Sequence, residues 1–323
     1  METVLEVKNL TTRFRMIDRT VTAVDNLSFT LYRNEILAIV GESGSGKSVT
    51  NLSVMRLVDP PGETDGSSEI IFDGKNLLAL SDREMEKIRG RRISMIFQEP
   101  SASFNPLFRI GSQIGEGLRN HLAYSRKEAF EQAKFLMKQV HIADPGLKAS
   151  DYPFQMSGGM LQRCMIAQAL ACSPDILIAD EPTTALDVTT QAQILGLIKE
   201  KKDETGMSVI FITHDLALVE DFCDRIMIMY NGQLMEEGNA KDVISTPRHP
   251  YTADLIKSIP RPGMFKSSDT LFTIPGKVPR PGEILSGCRY APRCSARTAE
   301  CLSREPELCR NGISAVRCFN AAR

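Results

Sequence analysis

The stretch Ile36-Leu-Ala-Ile-Val-Gly-Glu-Ser-Gly-Ser-Gly-Lys-Ser48 decides how this chain is read. Residues 36–40 are apolar without interruption and strand-sized, the pattern of a strand buried on both faces. They lead directly into Gly41-Glu-Ser-Gly-Ser-Gly-Lys-Ser48, which fits G-x-x-x-x-G-K-S/T, and residues 49–58 follow with the apolar spacing of a helix. In a strand, glycine loop, helix context the glycines let the backbone approach a polyphosphate closely, and its N–H groups wrap the oxygens. A lysine at position 47 neutralises the β- and γ-phosphates and a hydroxyl at position 48 holds Mg²⁺. The expected nucleotide contacts are therefore Gly41, Ser43, Gly44, Ser45, Gly46, Lys47, Ser48 and Val49.

Working outward, a second buried strand over 176–179 ends in Asp180, whose carboxylate emerges at the carboxyl edge of a sheet within reach of a Mg²⁺ shell. Glu181 stands beside it and can polarise an attacking water, which predicts hydrolysis rather than binding alone. Strands at 208–213 and 225–230 alternate with helices at 189–202 and 216–222, the order of an α/β domain. Asn231-Gly232 turns a hairpin into 233–236, and Asn34 suits the turn between a strand at 24–31 and the buried strand. From about 99 to 160 the pattern becomes helical, for example over 126–140, and reads as an inserted subdomain. The α/β core is expected over 1–240. Beyond it, Pro247, Pro250, Pro260, Pro262, Pro275, Pro279 and Pro281 break the pattern, and 241–323 reads as a separate tail module.

Composition narrows the function. With 42% apolar and 24% charged residues the chain is globular, neither disordered nor collagen-like. Its 39 basic and 40 acidic residues give a net charge of -1, and no Lys/Arg stripe offers a surface for nucleic acid. The apolar runs fall far short of the roughly 18 residues that span a bilayer, and METVLEVKNL begins like a strand rather than a secretory signal. A cytoplasmic location is expected.

Six motifs in order, Gly41 to Ser48, Gln98, Ser157-Gly-Gly-Met-Leu-Gln-Arg163, Asp180-Glu181, Ala185-Leu-Asp187 and His214, resemble those of the nucleotide-binding subunits of ABC transporters. The resemblance implies a P-loop ABC ATPase core that binds ATP and Mg²⁺ and closes as a head-to-tail dimer on two ATP molecules. Each ATP is then held between one subunit's phosphate loop and the other's Ser157, Gly158 and Gly159. It also implies that Gln98 touches Mg²⁺ and the water, that His214 contacts the γ-phosphate, that Asp187 meets the opposite subunit and that Phe14 stacks on adenine. The implied catalytic set is Lys47, Gln98, Glu181 and His214, with Ser48, Gln98 and Asp180 on the metal. One departure stands out: the family's Leu-Ser-Gly-Gly-Gln is Met156-Ser-Gly-Gly-Met160 here, which keeps the hydroxyl and both glycines but not the glutamine.

Arg89-Gly-Arg-Arg-Ile-Ser-Met-Ile-Phe-Gln-Glu-Pro100, Asn105-Pro106 and Pro247-Arg-His-Pro-Tyr-Thr252 are similar to the D-type ATPases of dipeptide and oligopeptide importers, those with a C-terminal cysteine-rich extension. That likeness implies peptide uptake, with an identical or paralogous ATPase partner, two transmembrane permease subunits whose coupling helices meet residues 98–109, and an extracytoplasmic substrate-binding protein. The subunit is then peripheral on the cytoplasmic face of the membrane. Nickel or another small solute is the alternative cargo. A soluble ABC ATPase clamping nucleic acid is the remote alternative, and the single core, short insertion and neutral charge speak against it.

Five of the eight cysteines, Cys288, Cys294, Cys301, Cys309 and Cys318, fall in the last 36 residues. Their gaps of five, six, seven and eight residues lack the tight C-x-x-C pairs of structural zinc, leaving an iron–sulfur cluster, zinc or unligated thiols open. Some dipeptide-importer ATPases carry a 4Fe-4S cluster there, and by that resemblance Cys288, Cys294, Cys301 and Cys318 are the ligands and Cys309 the spare. Cys164, Cys172 and Cys223 lie in helical stretches and read as small core residues.

Overall fold

Strands buried along their whole length form the parallel sheet of the first of two compact units, which comprises Met1–Val4, Leu31–Glu35 and Ala79–Ile212. The computed structural model describes residues 2–183, 186–259, 272–279, 283 and 286–321; Ala185, Pro260, Pro262 and Pro281 lie outside the described residues. In this first unit Ile176–Asp180 sits between Ile93–Ile96 and Ser208–Thr213, parallel to both. Continuous apolar sequence is what a strand covered on both faces requires, and the 176–179 and 208–213 expectations hold.

The insertion is helical as expected, with Ile110–Ile114, Glu116–Leu122 and Arg126–Gln139 followed by Gly158–Leu170. Ser125 and Glu128 start the third of these helices as a reciprocal cap: the Glu128 N–H donates to Ser125 Oγ at 3.3 Å, and the Ser125 N–H donates to the Glu128 carboxylate at 2.8 Å. Its buried stripe, Ala129, Ala133 and Met137, recurs every four residues and faces the neighbouring helices.

The second unit comprises Leu5–Thr30, Ile36–Leu78 and Thr213–Arg323. One of its sheets runs in the order Thr20–Tyr32, Thr3–Arg15, Glu69–Phe72, Lys75–Asn76, with Gly62–Thr64 also on Thr3–Arg15. In the other, Ile36–Val40 lies parallel to Arg225–Tyr230, which turns through Asn231 and Gly232 into Gln233–Asn239. Both turn residues have positive φ, 45° and 82°, as the tight hairpin demands.

The tail does not stand apart. Ser314–Val316 pairs antiparallel with Gln233–Asn239, bringing Glu236 opposite Val316, and Cys309–Asn311 pairs outside it. The extension thus covers what would otherwise be an open edge of the sheet that carries the glycine loop. Among the described residues no helix is long and apolar enough to cross a membrane.

Candidate functional site

The buried strand Ile36–Val40 delivers the glycine loop to the start of the helix Lys47–Val54. Gly46 adopts φ 100°, and a Cβ there would lie 2.4 Å from the Ala23 carbonyl oxygen, so only glycine fits. With Gly46 as its cap, the helix begins inside the motif, two residues earlier than its apolar spacing indicates. It stops at Val54 rather than 58 because Arg56 turns to φ 49°. Ser48 and Val49 fall in the first turn, where helix N–H groups have no partner within the helix and favour an anion. Lys47 is 6% exposed, and its ammonium donates to the carbonyls of Gly41 at 2.8 Å and Glu42 at 3.0 Å. Ser43 and Gly44 are exposed at the loop's tip, while Ser45 is buried. A backbone cradle around a buried cation is built for a polyphosphate. In the same unit Phe14 is half-buried near the end of its strand, opposite Gly62, and exposed His214 directly follows Ser208–Thr213.

In the first unit the parallel register does the assembling. Ile96 pairs with Ala179, so two residues beyond that pair Gln98 comes beside Glu181, and Gln98 Nε2 donates to Glu181 Oε2 at 3.2 Å. Asp180 ends its strand 5% exposed. Glu181 then takes φ 47°, a backbone region that costs a side-chain-bearing residue about 1–3 kcal/mol. Its N–H is held by the Ile212 carbonyl at 3.1 Å. Buried Gln162, quoted within the Ser157–Arg163 string but given no role from sequence, donates to the Pro182 carbonyl at 2.6 Å and fixes the chain just after Glu181.

Ser157 caps the helix Gly158–Leu170 by accepting the Met160 N–H at 3.3 Å. A Cβ on Gly158 would meet nothing within 4 Å, and one on Gly159 would meet only Leu186 Cδ2, at 3.7 Å. Each glycine costs a helix about 1 kcal/mol relative to alanine, yet packing among the described residues does not require them. Asp187 caps Val188–Thr205, accepting the Thr190 N–H at 3.0 Å and its hydroxyl at 2.8 Å; these bonds hold its carboxyl below the usual range.

The insertion also presents apolar surface. Buried Gln113 accepts the Asn105 N–H at 2.8 Å and donates to the carbonyls of Asn105 and Phe108, both at 2.9 Å. That clamp holds up Leu107 and Phe108, 78% and 58% exposed, beside a groove of about 300 Å³ lined by Phe108, Arg119, Arg126 and Phe130.

Cys288, Cys294, Cys301 and Cys318 line one cavity together with His249 and Tyr290, whereas Cys309 is exposed on the outer strand. Burial pushes the Cys288 thiol up to about 11 and raises those of Cys294 and Cys318. Among the described residues no group of three or more His, Cys, Asp or Glu is arranged to hold one metal ion. Zinc draws its sulfurs to about 2.3 Å of one point, whereas an iron–sulfur cluster distributes thiolates over separate irons. The four thiols share one cavity, and an all-cysteine donor set is the kind an iron–sulfur cluster takes. Cys164 and Cys223 are buried as expected, and Cys172 is half-buried.

Residues 24–184 match the ABC transporter family, and residues 235–301 match the oligopeptide/dipeptide transporter C-terminal region. The chain is 47% identical over 304 residues to y4tR of Sinorhizobium fredii, named as a peptide ABC transporter ATP-binding protein, covering 94% of this chain and 90% of that one. It is 46% identical over 314 residues to a protein of Brucella melitensis named for peptide import ATP binding, covering 94% and 93%. Among solved structures it resembles the dimeric ATP-binding cassette MJ0796 bound to ADP and Pi, at a TM-score of 0.67 and 30% identity over 73% of this chain and 99% of that one. The match to cbiO1 of Clostridium perfringens, part of the transporter complex cbiONQ, has a TM-score of 0.63 and 26% identity, covering 76% and 92%.

Proposed function

The chain belongs to the ATP-binding proteins of ABC transporters, and on that premise we propose that it is the D-type ATPase of an importer taking up di- or oligopeptides. ATP hydrolysis is the activity of this family. The observation that carries the cargo class is the match of residues 235–301 to the C-terminal region of oligopeptide/dipeptide transporters.

In this reading Lys47 and the loop N–H groups hold the phosphates of ATP, and Ser48, Gln98 and Asp180 are the residues that take Mg²⁺, which supplies charge neutralisation at the transferred phosphoryl group. Glu181 accepts the proton of the attacking water, Gln98 orients that water, His214 contacts the γ-phosphate and Phe14 stacks on adenine. A second ATPase subunit, identical or paralogous, offers its own Ser157, Gly158, Gly159 and Asp187 to the ATP held by this chain. The open space above Gly158 supports that role, since a phosphate can approach the backbone there. Two permease subunits dock at 98–109, supported by the exposed Leu107 and Phe108 and the groove beside them. A substrate-binding protein delivers the peptide on the far side, and the ATPase is peripheral on the cytoplasmic face.

Reconstitution tests the reading. ATPase activity of the chain with its partner ATPase and permease in lipid is expected to rise when peptide-loaded binding protein is added. A rate indifferent to permease and peptide would sink the importer assignment, and stimulation by nickel-loaded binding protein instead would reassign the cargo.

We further infer that Cys288, Cys294, Cys301 and Cys318 hold a 4Fe-4S cluster; the one cavity they share supports this. Protein purified without oxygen is expected to contain about four irons and four sulfides per chain. Cys309→Ser should retain them and Cys301→Ser should lose them. Stoichiometric zinc, or no metal at all in anaerobic protein, would overturn the cluster.

A further inference from the structure

A carboxylate is an awkward member of a loop that receives a polyphosphate, because two like charges a few ångströms apart repel strongly where water is excluded. Glu42 occupies that place, between Gly41 and Ser43. Its partner comes from the far end of the chain. Arg293, in the C-terminal extension, grips it with two parallel bonds, Nη1 to Oε2 at 2.6 Å and Nη2 to Oε1 at 3.0 Å.

The guanidinium is itself held firmly. Its side chain is 4% exposed, Nε donates to the Pro275 carbonyl at 3.0 Å, and Nη1 also donates to Tyr230 Oη at 3.3 Å. Tyr230, Tyr251 and Tyr290 form a buried cluster with ring centroids 4.7 to 5.3 Å apart, and the Arg293 guanidinium lies 5.8 Å from the centre of the Tyr230 ring. Tyr251 Oη accepts the Glu42 N–H at 3.0 Å. The Glu42 carbonyl in turn receives the Lys47 ammonium at 3.0 Å and the Ser45 N–H at 3.2 Å. Glu42 is therefore tied to the extension by its side chain and its N–H, and to the phosphate-binding lysine by its carbonyl.

We propose that Arg293 is a positioning residue for nucleotide binding: it cancels the charge of Glu42 and fixes the Glu42 peptide, so the loop meets a nucleoside triphosphate without an uncompensated carboxylate. The proposal rests on the reading that residues 41–48 bind ATP. Arginine suits the task because its planar fork matches a carboxylate at two points, which an ammonium cannot do.

The test compares the Kd for ATP, measured by calorimetry with Mg²⁺, for wild type, Arg293→Gln, Arg293→Lys, Glu42→Gln and the double variant Glu42→Gln/Arg293→Gln, with thermal unfolding of each. Arg293→Gln is expected to weaken ATP about 10- to 100-fold, as a coupling of this kind does. Removing the carboxylate as well should restore most of that loss, so the double variant binds more tightly than Arg293→Gln alone. A purely structural arginine gives the opposite order, with the double variant as weak as the single one or weaker and affinity tracking the fall in Tm. That result, or an Arg293→Gln Kd equal to wild type, overturns the proposal. Should Arg293→Gln fail to fold, Arg293→Lys decides: a several-fold weaker Kd at unchanged Tm supports it, and an unchanged Kd sinks it. Wild type with no measurable ATP binding would remove the ATP reading too, whereas normal wild-type binding with unaffected variants removes only the role of Arg293.

Discussion

Glu181→Gln is expected to lower the rate of ATP hydrolysis about 10²- to 10³-fold, the range for losing a general base, while ATP affinity stays within a few-fold of wild type. The amide keeps the shape of the side chain and can still accept the Gln98 Nε2–H that the carboxylate accepts at 3.2 Å, so the site's arrangement survives. What disappears is the capacity to take a proton from water. A loss confined to kcat, with KM and Kd little changed, marks a group acting only in the transition state. Single-turnover hydrolysis beside equilibrium ATP binding makes the measurement. Hydrolysis within about fivefold of wild type would place the base elsewhere.

Lys47→Ala should act on binding instead, raising the ATP Kd by about 100-fold, in keeping with the loss of charge-assisted bonds at a buried site. The Lys47 ammonium is 6% exposed and rests on two loop carbonyls at 2.8 and 3.0 Å, a position from which it can exchange them for phosphate oxygens with little movement. Without it the loop offers only backbone dipoles to a highly charged ligand. Lys47→Arg is not expected to rescue, because the guanidinium is too broad for a pocket sized to an ammonium. A Kd within about threefold of wild type would mean the loop does not bind through its lysine.

The glycine loop and its lysine were legible because every constraint there is local. An apolar strand, a helix that can start only after a left-handed Gly46 and a cation at fixed spacing are consecutive in the chain, and the structure moved only the helix's ends. Asp180 and Glu181 were legible for the same reason, as the polar end of a buried strand. Gln98 was reached through resemblance; what puts it against Glu181 is the register between Ile93–Ile96 and Ile176–Asp180, which periodicity does not reveal. Gln162 carried no signal of its own, since a glutamine on a helix reads as surface until the Pro182 carbonyl is seen beside it.

The extension shows the limit most sharply. Prolines and broken patterning suggested a module apart, but the open edge of Gln233–Asn239 captured Ser314–Val316, a preference of unpaired backbone that side-chain pattern does not record. Cysteine counts marked the segment as special and resemblance set Cys309 apart from the other four; the fold places Cys309 on an exposed strand and the other four around one cavity. The bond between Arg293 and Glu42 joins residues 251 positions apart. The sequence by itself determined the α/β core, the phosphate loop and the acidic strand end, because short-range sterics and burial dictate them. Tertiary structure alone decided which distant side chains share a site, because those contacts depend on strand register and edge pairing.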